Sequence, residues 1–92
     1  MEIQVQNMVS RNGNDVPNQF EIFTKTAKYF QSYSKIIAKI RLKDRQVYLD
    51  KNYWDYSKTT GKYRGYFLRE GIAETRKKIE TGEYKLVNLN KW

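Results

Sequence analysis

The residues best able to do chemistry in this chain are cations and aromatic rings. From Lys35 to Lys43 the chain reads Lys-Ile-Ile-Ala-Lys-Ile-Arg-Leu-Lys. Ile36, Ala38, Ile40 and Leu42 alternate with Lys35, Ile37, Lys39, Arg41 and Lys43. A period of two gives a strand with one apolar face and one basic face, broken only by Ile37. A second set of cations follows at Lys58, Lys62, Arg64 and Arg69, and Tyr48, Tyr53 and Trp54 lie between the two sets. Cations interleaved with exposed rings suit a single nucleic-acid strand, because the cations follow the phosphates and the rings stack on bases. Tyr, Trp and Arg are also the residues that anchor protein interfaces. A strand's basic face is ordinarily just its solvated face, and each of these rings equally suits a core.

Other chemistry is excluded by what the chain lacks. It contains no His and no Cys, which removes the commonest general base, the usual nucleophile pairs and zinc sites of ordinary composition. No phosphate-loop, dinucleotide or nucleophile-elbow motif occurs. Asp50 and Asp55 are the remaining carboxylate pair that could hold Mg²⁺ for phosphoryl chemistry, but turn and capping roles explain both. Ser57-Lys-Thr-Thr60, with Lys58 and Lys62, could receive a phosphate on helix N-terminal amides, though ordinary capping also accounts for it. The expectation is a non-catalytic binding protein with no cofactor, no metal and no small-molecule substrate.

Charge narrows the partner. Lys and Arg number 18 against 10 Asp and Glu, a formal +8. Residues 1–24 hold Arg11 against Glu2, Asp15 and Glu21, a net −2, so the rest carries +10. Such a field attracts nucleic acid or an acidic host or defence protein, and speeds encounter with either. No apolar run approaches the roughly 18 residues that a membrane span needs, and the N-terminus lacks a signal-peptide layout. Together with the absence of Cys, this makes the cytoplasm of a bacterial host the expected location, with no membrane partner.

These side chains must be positioned by a single domain over residues 1–92. Residues 2–9 alternate as a strand with Ile3, Val5 and Val9 on its buried side, and Arg11 to Asp15 form a turn. Strands follow at Phe20–Thr24, Tyr29–Tyr33, 34–43 and Val47–Leu49. The spacing predicts a helix over Ser57–Glu70, capped by Asp55 or Ser57, with Thr60, Tyr63, Phe67 and Tyr56 on one face and Gly71 as its stop. Gly61 and Gly65 inside it each cost about 1 kcal/mol relative to Ala, which implies either close backbone packing or a helix that begins late. A second helix over Ile72–Thr81 packs through Ile72 and Ile79 and ends at Gly82. Tyr84–Leu89 returns to strand. The fold class is α+β: an antiparallel sheet of about five N-terminal strands plus one C-terminal strand, with two short helices packed on one side.

Three stretches also occur in a familiar order: Ser32-Tyr-Ser-Lys-Ile-Ile-Ala38, then Val47-Tyr-Leu49, then Tyr56-Ser-Lys-Thr-Thr-Gly-Lys-Tyr63. This order resembles a family of small uncharacterised phage and plasmid proteins, over about residues 29–68. Lys35 stands where that pattern has Thr, and Tyr63 where it has His. The resemblance implies a mobile-element protein, either binding nucleic acid or occupying a host or defence protein as an inhibitor.

Overall fold

The computed structural model describes residues 3–91. Local turn chemistry sets the first strand lengths. β1 (Gln4–Val9) and β2 (Asp15–Phe23) are joined by a turn in which Gly13 adopts φ +83°, a conformation that costs glycine nothing. β3 (Ala27–Ser32) follows a turn closed by Thr24, whose hydroxyl accepts from the Ala27 amide at 3.1 Å. β4 (Lys35–Arg41) and β5 (Val47–Asp50) complete an antiparallel run. Then come α1 (Lys58–Leu68), α2 (Ile72–Glu80) and β6 (Tyr84–Val87). The strands lie in the order β1-β2-β3-β4-β5-β6. The fold is α+β as expected, but β6 pairs parallel to β5. The two helices form the crossover that a parallel return requires.

One irregularity rearranges the basic strand. The β3–β4 register shifts between Phe30, opposite Ala38, and Gln31, opposite Ile36. Ile37 is the extra residue, and a bulge of this kind interrupts strict alternation. Ile37 joins Phe30, Ala38 and Ile40 in the buried cluster with Tyr63 and Phe67 of α1. Ile36 instead shares the opposite face with Ile22, Tyr29 and Lys39. The expected split of Ile36, Ala38, Ile40 and Leu42 against the cations therefore holds only for Ala38 and Ile40 on the core side. Leu42 is exposed beyond the strand.

The core lies between the sheet and α1. The rings of Phe30 and Phe67 stack with centroids 5.8 Å apart, a contact worth about 1 kcal/mol beyond area burial. Met8, Val47, Leu49 and Tyr84 complete the cluster, with Ile79 packed against it. Gln19 is fully buried with neither amide atom hydrogen-bonded. On β1 the expected burial is reversed: Ile3, Val5 and Val9 are exposed, and Met8 is the buried residue. β1 is a sheet edge, and among the described residues no second layer lies over that face, so only the side chain that reaches the helix side is covered.

α1 begins at full strength despite its glycines. The Ser57 hydroxyl accepts from the Thr60 amide at 3.1 Å, and the Thr60 hydroxyl meets Ser32 at 2.8 Å. This ties the helix start to β3. The helix ends earlier than expected, at Arg69 in the left-handed region (φ 61°), where the amides of Arg69 and Glu70 both donate to the Gly65 carbonyl. A Cβ on Gly65 would stand 3.0 Å from the Glu70 carbonyl oxygen, so this capping geometry explains the glycine. Gly71 instead caps the start of α2. In α2 Thr75 is buried and Ile72 is exposed, so Ile79 alone makes the expected apolar contact. Among the described residues, no helix is long and apolar enough to cross a membrane.

Candidate nucleic-acid interface

Neither helix covers the second face of the sheet. Strand pairing runs Val5–Ile22–Tyr29–Lys39–Tyr48–Lys85 in one row across all six strands. Directly opposed residues share a face, so these six side chains stand together on the face away from Phe30, Ala38 and Leu49. Val5 and Lys85 are exposed, and the other four are half-buried. The Lys39 ammonium lies 5.8 Å from the Tyr29 ring centre and 5.6 Å from that of Tyr48. Arg41, two residues along β4, also lies over Tyr48 at 5.6 Å. The row is apolar toward β1 and basic toward β6, and it contains no acidic residue. Among the described residues, Lys39 and Lys85 enter no salt bridge.

A clamp bounds this face at one end. Asp50 is fully buried, and Oδ2 accepts the amides of Asn52 and Tyr53, each at 3.0 Å. Oδ1 accepts the Leu89 amide at 2.7 Å and Asn90 Nδ2 at 3.0 Å. Asn90 also bonds the Ile36 backbone in both directions. Asn88 and Leu89 are thereby held beside Ile22, Tyr29, Ile36 and Lys39. Asp55 pairs with Arg64 and Arg76, so both carboxylates of the candidate metal pair are committed to protein donors.

The expected basic surface is divided rather than continuous. Lys39, Arg41 and Tyr48 meet on the open face. Lys43 lies in the exposed β4–β5 turn. Lys35 pairs with Ser32, on the helix side of the bulge, and its ammonium sits 5.0 Å from the Tyr53 ring centre. Tyr53 and Trp54 pack against the core, with Lys35 over the first ring and Arg64 over the second, so neither joins the rings of the open face, where they were expected. Arg64 is a clearer correction: its side chain is 3% exposed. Nη1 donates to the Trp54 carbonyl and to Asp55, and the guanidinium lies 5.1 Å over the Trp54 ring. Arg64 holds the 53–55 segment onto α1 and offers no charge to the surface.

Lys58, Lys62 and Arg69 are exposed, on the other side of the molecule. They line a groove of about 920 Å³ along the outer face of α1, with Tyr56, Tyr66 and Ile72 at its rims. At the expected phosphate site the Thr60 amide is already taken by the Ser57 hydroxyl.

Titrations follow the local partners. The Arg41 guanidinium donates to both Asp44 oxygens, at 3.0 and 2.7 Å. These bonds hold the Asp44 carboxyl down at about 2 and raise Arg41. Burial pushes the Glu70 carboxyl up, but hydrogen bonds from Thr75, Tyr84 and Lys78 outweigh it and leave it lowered. Burial, then the bond to Glu70, pushes the Tyr84 phenol up to about 12. A lowered carboxyl stabilises the fold above its unfolded value of 4.5 and loses that contribution as pH falls through the folded value. The raised phenol stabilises below 10.0 and loses its contribution as pH rises toward about 12. The urea midpoint is therefore expected to fall on the acid side of 4.5 and on the alkaline side of 10.0. Glu70→Gln should flatten the acid limb.

Sequence reasoning missed Tyr29 and Lys85 as members of this face. Both lie on strands it had placed, but only pairing register aligns them with Lys39 and Tyr48. Arg64 had a readable signal, since Thr60, Tyr63, Arg64 and Phe67 follow the spacing of one buried helical stripe.

No curated protein and no solved structure matches this chain. A family model described as a family of unknown function (DUF8033) matches residues 3–83. With nearly the whole chain inside that match, the protein belongs to DUF8033, a family of unknown function.

Proposed function

We propose that this protein is a non-catalytic accessory protein that binds single-stranded nucleic acid on the open face of its sheet. The observation that carries the reading is the Tyr29–Lys39–Tyr48–Lys85 row on adjacent strands of the face that neither helix covers. Two tyrosines two strands apart, roughly 10 Å, flank one lysine and are followed by another. Rings of this kind stack on unpaired bases whatever the sequence, and the lysines neutralise the phosphates between them. A duplex would keep its bases out of the rings' reach. The formal charge of +8 adds long-range attraction. The motif order over residues 29–68 supports an origin in a phage or other mobile element, acting in the cytoplasm of a bacterial host.

Tyr48→Ala tests the stacking part. Loss of one base stack is worth about 1–3 kcal/mol, so affinity for a labelled single-stranded oligonucleotide should weaken roughly 5- to 150-fold by anisotropy. A variant that melts like wild type and binds equally well would remove Tyr48 from the interface.

A further inference from the structure

The groove along α1 has no role in the open-face reading, yet it is a concavity of about 920 Å³ built from α1 and the segments that flank it. Gly61 and Gly65, one turn apart, form its floor. Tyr56, Tyr66 and Ile72, each more than 40% exposed, supply its apolar rims. Tyr56 and Tyr66 are braced edge-on by Tyr53 and Tyr63. Lys58, Lys62 and Arg69 line it and enter no salt bridge among the described residues. Its two acids are neutralised internally. Asp55 is held by Arg64 and Arg76, and Glu70 by Thr75, Lys78 and Tyr84. Arg64 lies buried at the floor with Nη2 3.5 Å from the place a Gly61 Cβ would take, and its Nε has no partner.

We propose that this groove docks an acidic amphipathic helix of a partner protein. The occupant follows from charge and shape. The free charges in the walls are all positive, so the occupant supplies carboxylates. The rims are apolar, and the two glycines carry no side chain where a partner backbone must come close, with the Arg64 guanidinium beneath Gly61, which suits helix-in-groove docking. α1 has 11 residues, a length of about 16 Å, enough for three turns of a partner helix. Free cations also attract phosphates, so the oligonucleotide arm of the test separates a nucleic-acid strand from the helix. The site lies on the opposite side of the molecule from the Tyr29–Lys39–Tyr48–Lys85 row, so the two can be occupied together and fail separately.

The test uses the full chain at physiological salt and three labelled peptides. One is an amphipathic helix with Leu on one face and Glu on the other, one replaces its Glu by Lys, and one is polyglutamate of equal length. The acidic amphipathic peptide should bind at least tenfold more tightly than either control. Gly61→Leu fills the floor and favours helix over Gly, and with its Cβ in ordinary contact with Arg64 its melting temperature is measured beside binding. It should weaken the acidic peptide at least tenfold and leave oligonucleotide affinity unchanged. Lys58→Glu with Lys62→Glu should weaken the peptide similarly. The proposal is overturned if the acidic peptide does not bind, if polyglutamate binds as well, or if Gly61→Leu has no effect. It is also overturned if Gly61→Leu abolishes oligonucleotide binding, which would assign the groove to nucleic acid.

Discussion

Replacing Lys39 and Lys85 together by Glu is expected to abolish oligonucleotide binding at physiological salt, a loss of at least about 100-fold. Each lysine faces the open row without an acidic partner among the described residues. Removing two phosphate contacts lowers the salt slope on a single strand by about 1.4, and the new carboxylates repel the phosphates. Arg41 serves as the internal contrast. Asp44 already holds its guanidinium through two hydrogen bonds, so Arg41→Ala should cost less than about tenfold, with a smaller change in slope. Lys85 is exposed and Lys39 half-buried, so circular-dichroism melting of the double variant should stay close to wild type. Equal losses from Arg41→Ala and the double lysine variant would show that bulk charge, not the row, governs binding.

The largest effect on stability is expected at Asp50. This buried carboxylate accepts four N–H groups, from Asn52, Tyr53, Leu89 and Asn90. Asp50→Ala leaves those part-buried donors without their acceptor, and each that water cannot reach costs about 1–3 kcal/mol. A loss of about 2–4 kcal/mol follows, a large share of what a domain of this size commands. Asp50→Asn should do nearly as badly, because its amide group would face two N–H donors. Urea denaturation measures both. A change of Asp50→Ala within about 1 kcal/mol of wild type would mean that the clamp contributes little and that residues 88–90 are held by other contacts.

How much of this was legible in the sequence differs by element. Strand alternation, the Ser57 cap and the glycine at 82 identify the α+β elements from local chemistry alone. The apolar face of β1 was misread because period two shows that a strand has two faces, not which one a second layer covers. The bulge at Ile37 was visible only as the one apolar residue among the cations, and its consequence, moving Lys35 to the helix side, depends on pairing with β3. The basic surface was legible in composition but not in its division. Lys39 with Tyr29, and Tyr48 with Lys85, meet through register across separate strands. Lys58, Lys62 and Arg69 sit on the far side because α1 turns its Thr60, Tyr63, Arg64 and Phe67 stripe to the sheet. Arg64 illustrates the limit of counting charge: the same residue that adds to the net +8 spends its hydrogen bonds on Trp54 and Asp55.

The most direct test of the open-face interface is an amide-shift NMR titration of labelled protein with a single-stranded oligonucleotide near physiological salt. The expected shifts centre on Tyr29, Lys39, Tyr48 and Lys85, with Lys58 to Arg69 unmoved. Shifts centred on α1, or none at all, would contradict it.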